Sequence, residues 1–405
     1  MEPLVIIGAG ASGLLAALTA AGRGRPTLVL EKMGKPALKL GITGKGRCNL
    51  TNLCPVDEFI AQVPGNGRFL RPALWAFPPA QAVELFASLG IATKVERGQR
   101  VFPVAEDALL VARTLAQAAR RAGAQLRTGS PARELLIREG RAQGVVLVSG
   151  ELVPASAVIV ATGGASYPAT GSTGDGYQLA RQAGHTIVPI RPSLVPLETR
   201  EDWPRQCQGL ALKNVGLRAL DGERVLYREV GEMLCTHFGV SGPLVLTASR
   251  HLAEAREPRL AVDLKPGLTP EQLDARLQRD LGANRNRHLG NSLGALLPAR
   301  LVPVVVALSG LDPETPCHSV TRAQRQRLGQ LLKHLALQVT GTRPLAEAIV
   351  TRGGVSTREI NPGTMESRLV PGLYFAGEVI DVDGYTGGFN LHLAWATGRL
   401  AGLHA

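Results

Sequence analysis

The feature that most constrains this chain is its N-terminal segment, PLVIIGAGASGLLAALTAAGRGRPTLVLEK, which reads as strand, glycine turn, helix, strand and acid. Leu4–Ile7 is a short, unbroken apolar run, which is typical of a strand buried on both faces of a sheet. Three glycines follow in the spacing G-x-G-x-x-G, and Glu31 ends a second apolar run. This order predicts an α/β chain that begins with a βαβ unit in a parallel sheet of the Rossmann type.

Gly8, Gly10 and Gly13 each have a mechanical reason to be glycine in a dinucleotide-binding turn. The first allows the tight turn, the second lets a pyrophosphate approach the backbone, and the third lets the helix pack on the strand. The helix begins near Ala11 and Ser12, where free N–H groups and the helix dipole favour phosphate. The acid after the second strand can accept hydrogen bonds from ribose hydroxyls. We therefore predict dinucleotide binding rather than a glycine turn that binds nothing.

A second glycine-rich turn lies near the other end, in PGLYFAGEVIDVDGYTGGFNLHLAWATGRLAG. This segment predicts a strand at Leu373–Ala376, then a turn, and then a helix from about Leu391 with Asn390 as its N-cap. Gly387 and Gly388 allow the backbone to press against a flat ring. A helix N-terminus at this place stabilises negative charge on a reduced flavin, and a nicotinamide enzyme needs no such second site. We therefore predict FAD as the bound dinucleotide.

Two further groups complete the predicted FAD site. Asp381 or Glu378, in the C-terminal turn, is placed to hold ribityl hydroxyls. A third segment, ASAVIVATGGASYPATGSTGDGY, predicts a buried strand at Val158–Val160, and this strand runs into Ala161, Thr162, Gly163 and Gly164. We expect that turn to cross beneath the dinucleotide, with an ordinary βα turn as the alternative reading.

The totals set the broad class of the protein. A length of 405 residues predicts two or three domains, or one large domain with an insertion. Hydrophobic residues are 45% and charged residues 19% of the chain, which is the composition of an ordinary packed globule. The net charge of +12 fits an anionic cofactor, an acidic substrate or nucleic acid. The basic residues are dispersed except around Arg276–Arg287 and Arg322–Lys333, where a solvated face and an anion-binding surface are the alternatives.

The five cysteines are few and odd in number, which argues against a disulfide framework and for a reducing, cytoplasmic setting. Neither C-x₂-C nor H-x₃-H spacing occurs near Cys48 and Cys54, so no metal site is predicted. The uncharged run Pro3–Gly22 is broken by glycines and preceded by Glu2 instead of a basic residue. We therefore interpret it as neither signal peptide nor membrane helix, and expect no membrane contact.

Several segments together resemble one known family: ITGKGRCNLTN, ATGGASYPATGSTGDGY, PSLVPL, THFGVSGP, GGVSTREINPGTMES and GLYFAGEVIDVDGYTGGFNL. In this order, over nearly the whole chain, they are similar to the BaiN/YhiN-like bacterial flavoproteins. The likeness is weakest between about Arg250 and Thr342. The resemblance implies a bacterial NAD(P)/FAD-dependent oxidoreductase with a glutathione reductase-like FAD domain. Its relatives include aminoacetone oxidases and dehydro bile acid reductases.

In the resembling fold, ITGKGRCNLTN passes the flavin ring, and its residues acquire roles from that position. Arg47 would supply positive charge, and Cys48 would edge the reacting face, so both are candidate catalytic residues. The family more often has a small or neutral residue where this chain has Lys45, whose role stays open. The other cofactor contacts predicted around this site are Lys32, Lys39, Thr43, Gly44, Gly46, Asn49, Ala132, Gly377 and Phe389.

Cys48 and Cys54 leave a redox pair open as a competing interpretation, as in a disulfide reductase. Five residues separate them, so their spacing does not match C-x₄-C. No second G-x-G-x-x-G for NADPH occurs in the chain. A Walker loop is excluded because Gly41 and Gly44 are too close together.

Between about residues 191 and 343 the dinucleotide pattern stops, which predicts a domain inserted into an FAD-binding domain of residues 1–190 and 344–405. Apolar segments at Val225–Tyr227, Val245–Leu246 and Leu260–Leu264 predict small strands up to about residue 265. Capping boxes that begin at Thr269 and Thr321 predict arginine-bearing helices in a small lobe of about residues 268–340. We expect this β-rich cap to close a substrate pocket over the flavin.

His237, in MLCTHFGVSGP, is the cap's candidate catalytic residue because imidazole exchanges a proton near neutral pH; a histidine satisfied within a β-turn is the alternative. The leading hypothesis is an FAD-dependent oxidoreductase that passes a hydride through flavin N5 to or from a small organic substrate. NAD(P)H as a transient donor or O₂ as acceptor would be the electron partner. The rivals are a tRNA- or other nucleic-acid-binding flavoprotein, motivated by the charge, and a non-catalytic flavin-binding protein. Aromatic residues are only 4%, which leaves few stacking platforms for bases.

Overall fold

The computed structural model describes residues 2–405 and divides the chain into two compact units. The first unit combines Met1–Ser193 with Leu345–Ala405, and the second is Leu194–Pro344. The strands are β1 (Leu4–Ile7), β2 (Thr27–Leu30), β3 (Thr51–Asn52), β4 (Thr93–Glu96), β5 (Arg100–Pro103), β6 (Gln125–Arg127), β7 (Ala132–Arg138), β8 (Arg141–Leu147), β9 (Leu152–Pro154), β10 (Ala157–Val160), β11 (Ile187–Ser193), β12 (Leu197–Thr199), β13 (Ala211–Asp221), β14 (Arg224–Cys235), β15 (Gly239–Ser241), β16 (Pro258–Asp263), β17 (Leu335–Thr342), β18 (Val350–Val355) and β19 (Leu373–Phe375). The α-helices are α1 (Ala11–Gly22), α2 (Leu38–Gly41), α3 (Val56–Ala61), α4 (Arg71–Ala76), α5 (Pro79–Ser88), α6 (Ala108–Arg121), α7 (Asp175–Gln182), α8 (Trp203–Gln206), α9 (Pro243–Leu252), α10 (Pro270–Ala283), α11 (Val302–Ser309), α12 (Arg322–Lys333) and α13 (Phe389–His404).

The centre of the first unit is a five-stranded parallel sheet in the order β19-β10-β1-β2-β6. Every residue of the middle strand β1 is buried, as its unbroken apolar run predicts for a strand covered on both faces. The carboxyl ends of β1, β10 and β19 lie side by side, so the turns that follow Ile7, Val160 and Phe375 meet at one edge. This is the Rossmann-type α/β fold that the N-terminal pattern predicts.

Helices α1 and α13 pack at short range because glycines line their contact. A Cβ added to Gly398 would lie 2.3 Å from Ser12 O, and one added to Gly402 would lie 2.5 Å from Ala16 O. Backbone meets backbone here, so any larger residue would push the helices apart. The contact fixes the N-terminus of α13 relative to the turn after β1.

Three smaller antiparallel sheets complete the first unit, with strand orders β3-β5-β4, β7-β8-β9 and β11-β18. The first of them begins directly after the GKGRCN turn, since Leu50 N donates to Val101 O at 2.8 Å. The third joins the strand that leaves the first unit at Ser193 to the segment that re-enters it after Pro344.

The second unit is a closed antiparallel barrel, β12-β15-β14-β13-β16-β17, with helices α9 to α12 and its own hydrophobic core. Two expectations are wrong here. Val245–Leu246 lies in helix α9, because a short apolar run does not distinguish a strand from a buried helix and Pro243 favours a helix start. The helical lobe ends at Lys333 and not near residue 340, because β17 pairs with β12 and β16 and so closes the barrel.

No helix within residues 2–405 has the length and apolar character that crossing a bilayer demands.

Candidate active site

The three glycines of the turn after β1 have different surroundings. Gly8 has φ +102°, and a Cβ there would lie 2.6 Å from Ala161 O, so this turn packs directly on the turn after β10. A Cβ on Gly13 would lie 1.9 Å from Gly8 O, which leaves no room for a side chain between helix and strand. Gly10 faces open space, with no atom within 4 Å of an added Cβ. Packing therefore requires the first and third glycines, and the second is where a ligand can approach the backbone.

Helix α1 presents its N-terminus to the same open space. Its first hydrogen bond runs from Leu14 N to Gly10 O at 2.9 Å, so the preceding N–H groups, including that of Ala11, remain available as donors. The buried hydroxyl of Ser12 points elsewhere and donates to Ala376 O at 3.3 Å. The start of the helix thus fits a phosphate through its backbone, and the Ser12 side chain ties this turn to the one after β19.

Glu31 is held at the end of β2 by two backbone N–H groups. Ala9 N donates to its Oε2 and Met33 N to its Oε1, both at 2.8 Å. Each carboxylate oxygen keeps further lone pairs, so the predicted acceptance of ribose hydroxyls is compatible with these bonds.

Two further residues predicted to contact the cofactor, Lys32 and Ala132, belong to segments next to Glu31. Ser130 N donates to Glu31 O at 2.9 Å, which brings the loop before Ala132 alongside. Lys32 pairs with Asp175 at 2.6 Å, and that carboxylate compensates its charge.

Helix α13 begins at Phe389, two residues before its predicted start, and its N-cap is Gly388 instead of Asn390. Gly388 has φ +100°, and a Cβ there would lie 2.4 Å from Thr51 O, so the backbone begins the helix where only glycine fits. Asn390 lies in the first turn, where its Oδ1 accepts from Gly384 N at 2.8 Å and its Nδ2 donates to Gly384 O at 2.7 Å. It fixes the loop that precedes the helix.

The residues on either side of Gly388, Gly387 and Phe389, make different contacts. Gly387, with φ +129°, accepts a hydrogen bond on its carbonyl from Asn52 Nδ2 at 3.1 Å. The ring of Phe389 is buried edge-to-face on Phe59, with centroids 4.8 Å apart. Only the backbone of Phe389 is therefore placed to meet a ligand at the helix N-terminus.

Three buried polar atoms along these turns have no hydrogen-bond partner among residues 2–405: Asn49 Oδ1, Thr51 Oγ1 and Thr162 Oγ1. Asn49 Oδ1 lies 2.8 Å from the position of a Cβ on Gly388, which places it at the start of α13. Thr162 follows β10 and precedes Gly163, whose φ is +76°. Buried polar atoms are rarely left unsatisfied, so Asn49 Oδ1 and Thr51 Oγ1 indicate a polar ligand at the start of α13. Thr162 Oγ1 instead faces helix α7, since a Cβ on Gly176 would lie 2.1 Å from it.

Glu378 is the centre of a half-buried polar network beside the third turn. Its Oε2 pairs with Lys39 Nζ at 2.8 Å, and its Oε1 accepts from Thr351 N at 2.8 Å and from Ser166 Oγ at 3.3 Å. A Cβ on Gly164 would lie 2.4 Å from Thr351 Oγ1, so this glycine admits the network. The structure thus joins the predicted residues Lys39, Gly164 and Glu378, with the charge of Lys39 compensated by the carboxylate.

Asp381 is held by a side chain that the sequence did not single out. Asn66 Nδ2 donates to Asp381 Oδ2 at 2.9 Å and to Asp381 O at 2.8 Å. Burial raises the pKa of Asp381 above its usual range, and the bond from Asn66 opposes that shift. Gly377, at the start of the same turn, has φ +77° and packs against Ser12, since a Cβ there would lie 2.5 Å from Ser12 Oγ.

The GKGRCN turn is wound in the left-handed region. Gly44, Lys45 and Gly46 have φ of +59°, +59° and +85°, and Cys48 has φ +60°. Cys48 N donates to Thr43 O at 3.0 Å, which closes the turn. A non-glycine residue held in this region costs on the order of 1–3 kcal/mol, so the surrounding fold must impose the conformation. The Lys45 side chain is exposed.

Arg47 makes ion pairs that compensate its charge. It contacts Glu96 and, at 2.9 Å, Glu106, and its guanidinium lies 4.2 Å above the ring of Phe102. The hydrogen bonds that Arg47 donates to these two carboxylates raise the pKa of its guanidinium. The arginine thereby fastens the GKGRCN turn to β4 and β5, and its contact with the flavin stays a prediction.

The two cysteines of the redox alternative are free thiols in unfavourable surroundings for such chemistry. Cys48 is fully buried, and burial raises the pKa of its thiol to about 12. Burial likewise raises the pKa of Cys54 to about 11. Thiolates and not thiols are the reactive species, so neither sulfur is activated for disulfide exchange.

His237 belongs to the second unit, in the turn between β14 and β15, and its side chain is exposed. Its ring contacts Phe238 edge-on, with centroids 4.9 Å apart. The role assigned to it at the flavin stays a prediction. Within residues 2–405, no group of three or more histidine, cysteine or acidic side chains is arranged to hold a metal ion.

Sequence reasoning missed the residues that position the site: Asn66, Thr351 and Ser166, together with the unsatisfied Thr51. The partners of Asn66, Thr351 and Ser166 all lie far from them in the sequence, as Asp381 does from Asn66. No local spacing could have indicated them, because each contact forms only when separate strands and turns meet.

The structure offers a polar ligand an open glycine and a helix N-terminus after β1, an acid after β2, and two unsatisfied polar atoms at the start of α13. This set fits an extended dinucleotide with a flat ring at the α13 end, because phosphate, ribose and ring each meet the donor or acceptor that they need. The residues present therefore fit FAD.

Comparison with known proteins agrees with this reading. The HI0933-like protein Rossmann domain model matches residues 2–404. The chain is 35% identical to the 3-dehydro-bile acid delta(4,6)-reductase of Clostridium scindens, over 99% of this chain and 98% of the relative. It is 33% identical to the ribosomal RNA dihydrouridine synthase of Escherichia coli, over 97% and 95%. The fold matches 3-ketosteroid delta1-dehydrogenase from Sterolibacterium denitrificans with a TM-score of 0.55 at 16% identity, over 99% and 98%. The chain therefore belongs to the HI0933-like Rossmann family of flavoprotein oxidoreductases.

Proposed function

We propose that this protein is an FAD-dependent reductase of a carbon–carbon double bond conjugated with a carbonyl group, and that its substrate is a uracil ring in RNA. The observation that carries the proposal is the set of groups that fit FAD, namely the open backbone at Gly10, the acid Glu31 and the unsatisfied polar atoms at the N-terminus of α13. Two full-length relatives bear names of enzymes that saturate such bonds, one in a steroid and one in uridine.

The chain's own residues would hold FAD by the contacts described above. The backbone at Gly10 and the start of α1 bind the pyrophosphate, and Glu31 binds the adenosine ribose. Lys39 fixes Glu378 and Asn66 fixes Asp381, and these two carboxyl groups would hold the ribityl chain. The N-terminus of α13 favours negative charge at the ring.

The reaction balances as the addition of one hydride and one proton to the double bond, while a reduced nicotinamide nucleotide is oxidised. Bound FAD supplies the two-electron carrier between that donor and the substrate. The chain lacks a second dinucleotide fingerprint, so we propose that NAD(P)H binds transiently. His237 is our candidate donor of the proton because its exposed imidazole can act as a general acid.

RNA is favoured over a small substrate by charge. The net charge of +12 would attract a polyanion and raise its association rate. The low aromatic content does not oppose an RNA substrate, because a single base enters the site and needs no row of stacking platforms.

The test begins with anaerobic mixing of the purified holoprotein with NADH or NADPH, followed at about 450 nm, the usual absorption band of oxidised flavin. Bleaching by either donor is expected, and failure of both refutes the reductase proposal. Protein-free ribosomal RNA that lacks dihydrouridine is then added with the donor. Mass spectrometry of its nucleosides should show uridine gaining two hydrogen atoms, and His237→Gln should slow this step while leaving the bleaching by NAD(P)H unchanged.

A steroid-like enone is the second candidate substrate. The exposed side chains of Ile42 and Leu109 lie beside the GKGRCN turn and offer an apolar surface to such a molecule. Turnover of a 3-oxo-4-ene steroid with no change in ribosomal RNA would replace uridine by this substrate class and leave the reductase proposal intact.

A further inference from the structure

The second unit carries a basic loop at the end of helix α10. The sequence NRNRH runs from Asn284 to His288, and Arg285 to His288 are exposed. Arg285 O accepts hydrogen bonds from His318 N at 3.3 Å and His318 Nδ1 at 2.8 Å. Arg287 O accepts from Cys317 N at 3.0 Å. These bonds bring the loop beside the segment that leads into helix α12.

Buried residues hold this loop in place from beneath. Leu289 and Cys317 are in the core of the second unit, and Leu289 N donates to Thr315 O at 2.9 Å. Cys317 Sγ also donates to Ser292 Oγ at 2.9 Å. The arginine side chains therefore project from an ordered backbone, which lowers the entropy lost when they bind a ligand.

The arginines of the two helices fall into two groups. Arg276 pairs with Asp280 at 2.8 Å, and Arg325 pairs with Asp274 at 2.7 Å. Asp280 and Asp274 therefore compensate the charges of Arg276 and Arg325.

Arg285, Arg287 and Arg322 have no ion pair in the described part of the chain, residues 2–405. Arg322 lies close enough to Asp274 to contribute to lowering the pKa of that carboxyl, but the hydrogen bond from Arg325 is the larger cause. Two arginines therefore share one carboxylate, and positive charge remains in excess on this face. We call Arg285, Arg287, His318 and Arg322 the basic loop surface.

We infer that the basic loop surface binds the phosphate backbone of the RNA that carries the target uridine. Guanidinium groups bind phosphate in a bidentate manner, and the exposed Asn286 between Arg285 and Arg287 adds a neutral donor for sugar and phosphate oxygens. The first turn of α12 strengthens the argument. Arg322 stands at a helix N-terminus, where a cation is unfavourable, so an external anion would relieve rather than disturb the local field. This inference rests on the proposed function, since it names where that function's substrate is held.

The test uses the full-length holoprotein with three substitutions together, Arg285→Gln, Arg287→Gln and Arg322→Gln. The matched control carries Arg120→Gln, Arg121→Gln and Arg138→Gln, which remove the same charge from exposed positions of the first unit. Both variants should keep their flavin and their fold, because all six side chains are exposed. The control should melt at a slightly lower temperature, since Arg120 and Arg121 stabilise the last turn of α6.

Binding of protein-free ribosomal RNA is measured by filter retention at about 50 and 200 mM salt, the range over which phosphate contacts lose most affinity. The basic-loop variant should bind at least about tenfold more weakly at low salt, and its salt slope should fall by about 2–3. The control should keep most of the affinity. Equal loss in both variants refutes the inference, since only overall charge then matters.

The outcomes separate this inference from the proposed function. If the wild type reduces uridine and the basic-loop variant binds RNA like the wild type, the surface is wrong and the function stands. If the wild type binds no RNA even at low salt, both fall.

Discussion

Replacing Gly10 and Gly13 separately by alanine distinguishes the two roles of glycine in the G-x-G-x-x-G turn, which are ligand approach at Gly10 and helix packing at Gly13. An alanine at position 13 places its Cβ 1.9 Å from Gly8 O, so helix or turn must move. Such overpacking costs about 1–3 kcal/mol, enough to outweigh the roughly 1 kcal/mol that Gly→Ala gains inside a helix. An alanine at position 10 meets no atom within 4 Å, and its φ of −81° is ordinary. Gly10 is the N-cap of α1, where alanine is less favourable than glycine, so the flavin-free Gly10→Ala protein should lose no more than about 1 kcal/mol of its free energy of unfolding.

FAD affinity should fall in Gly10→Ala, the variant that keeps most of its stability. The methyl group at Gly10 occupies the space through which the pyrophosphate reaches the start of α1. Losing one hydrogen bond to a charged group costs about 1.5–3 kcal/mol, which corresponds to a dissociation constant about 10- to 150-fold weaker.

The assay combines thermal unfolding of the flavin-free proteins with fluorescence titration of FAD. Gly10→Ala should unfold at nearly the wild-type temperature and bind FAD weakly, whereas flavin-free Gly13→Ala should already unfold at lower temperature. Wild-type FAD affinity in Gly10→Ala would refute the assignment of the open glycine to the pyrophosphate. An unchanged melting temperature in Gly13→Ala would refute the packing argument.

Three further measurements probe other parts of the first unit. The double variant Cys48→Ala, Cys54→Ala should reduce its flavin with NAD(P)H at a rate within about twofold of the wild type. The wild-type thiols should resist alkylation near pH 8, because burial raises the pKa of Cys48 to about 12 and that of Cys54 to about 11. Loss of flavin reduction in the double variant would favour the redox pair again. Burial lowers the pKa of His392 to about 4 from 6.5, so the unfolded state binds a proton that the folded state does not. Stability should fall as the pH drops from about 6.5 to about 4, by on the order of 3 kcal/mol in total. His392→Gln should flatten this dependence, and an equally steep fall in the variant would contradict the assignment. Gly398→Ala should destabilise the protein by more than about 1 kcal/mol, whereas Gly282→Ala, where a Cβ meets nothing within 4 Å, should stabilise it slightly; equal effects would disprove close packing of α1 on α13.

The family resemblance and the Rossmann-type fold are confirmed by the comparisons and by the sheet order. The N-terminal βαβ unit could be predicted because each of its signals is local to one segment. These signals are an apolar run, a glycine spacing and an acid at the end of a strand. The same rules failed at Val245–Leu246, where a short apolar run fits either a strand or a helix.

The sequence by itself determined the elements whose causes are local, namely β1, the glycine turn with its open Gly10, α1, and the capping boxes at Thr269 and Thr321. Only the tertiary structure decided that Gly388 and not Asn390 starts α13, because the carbonyl that excludes a side chain there comes from Thr51. It also decided that Asn66 holds Asp381 and that Thr351 holds Glu378. These choices depend on backbone distances between segments far apart in the chain, and no periodicity within one segment records them.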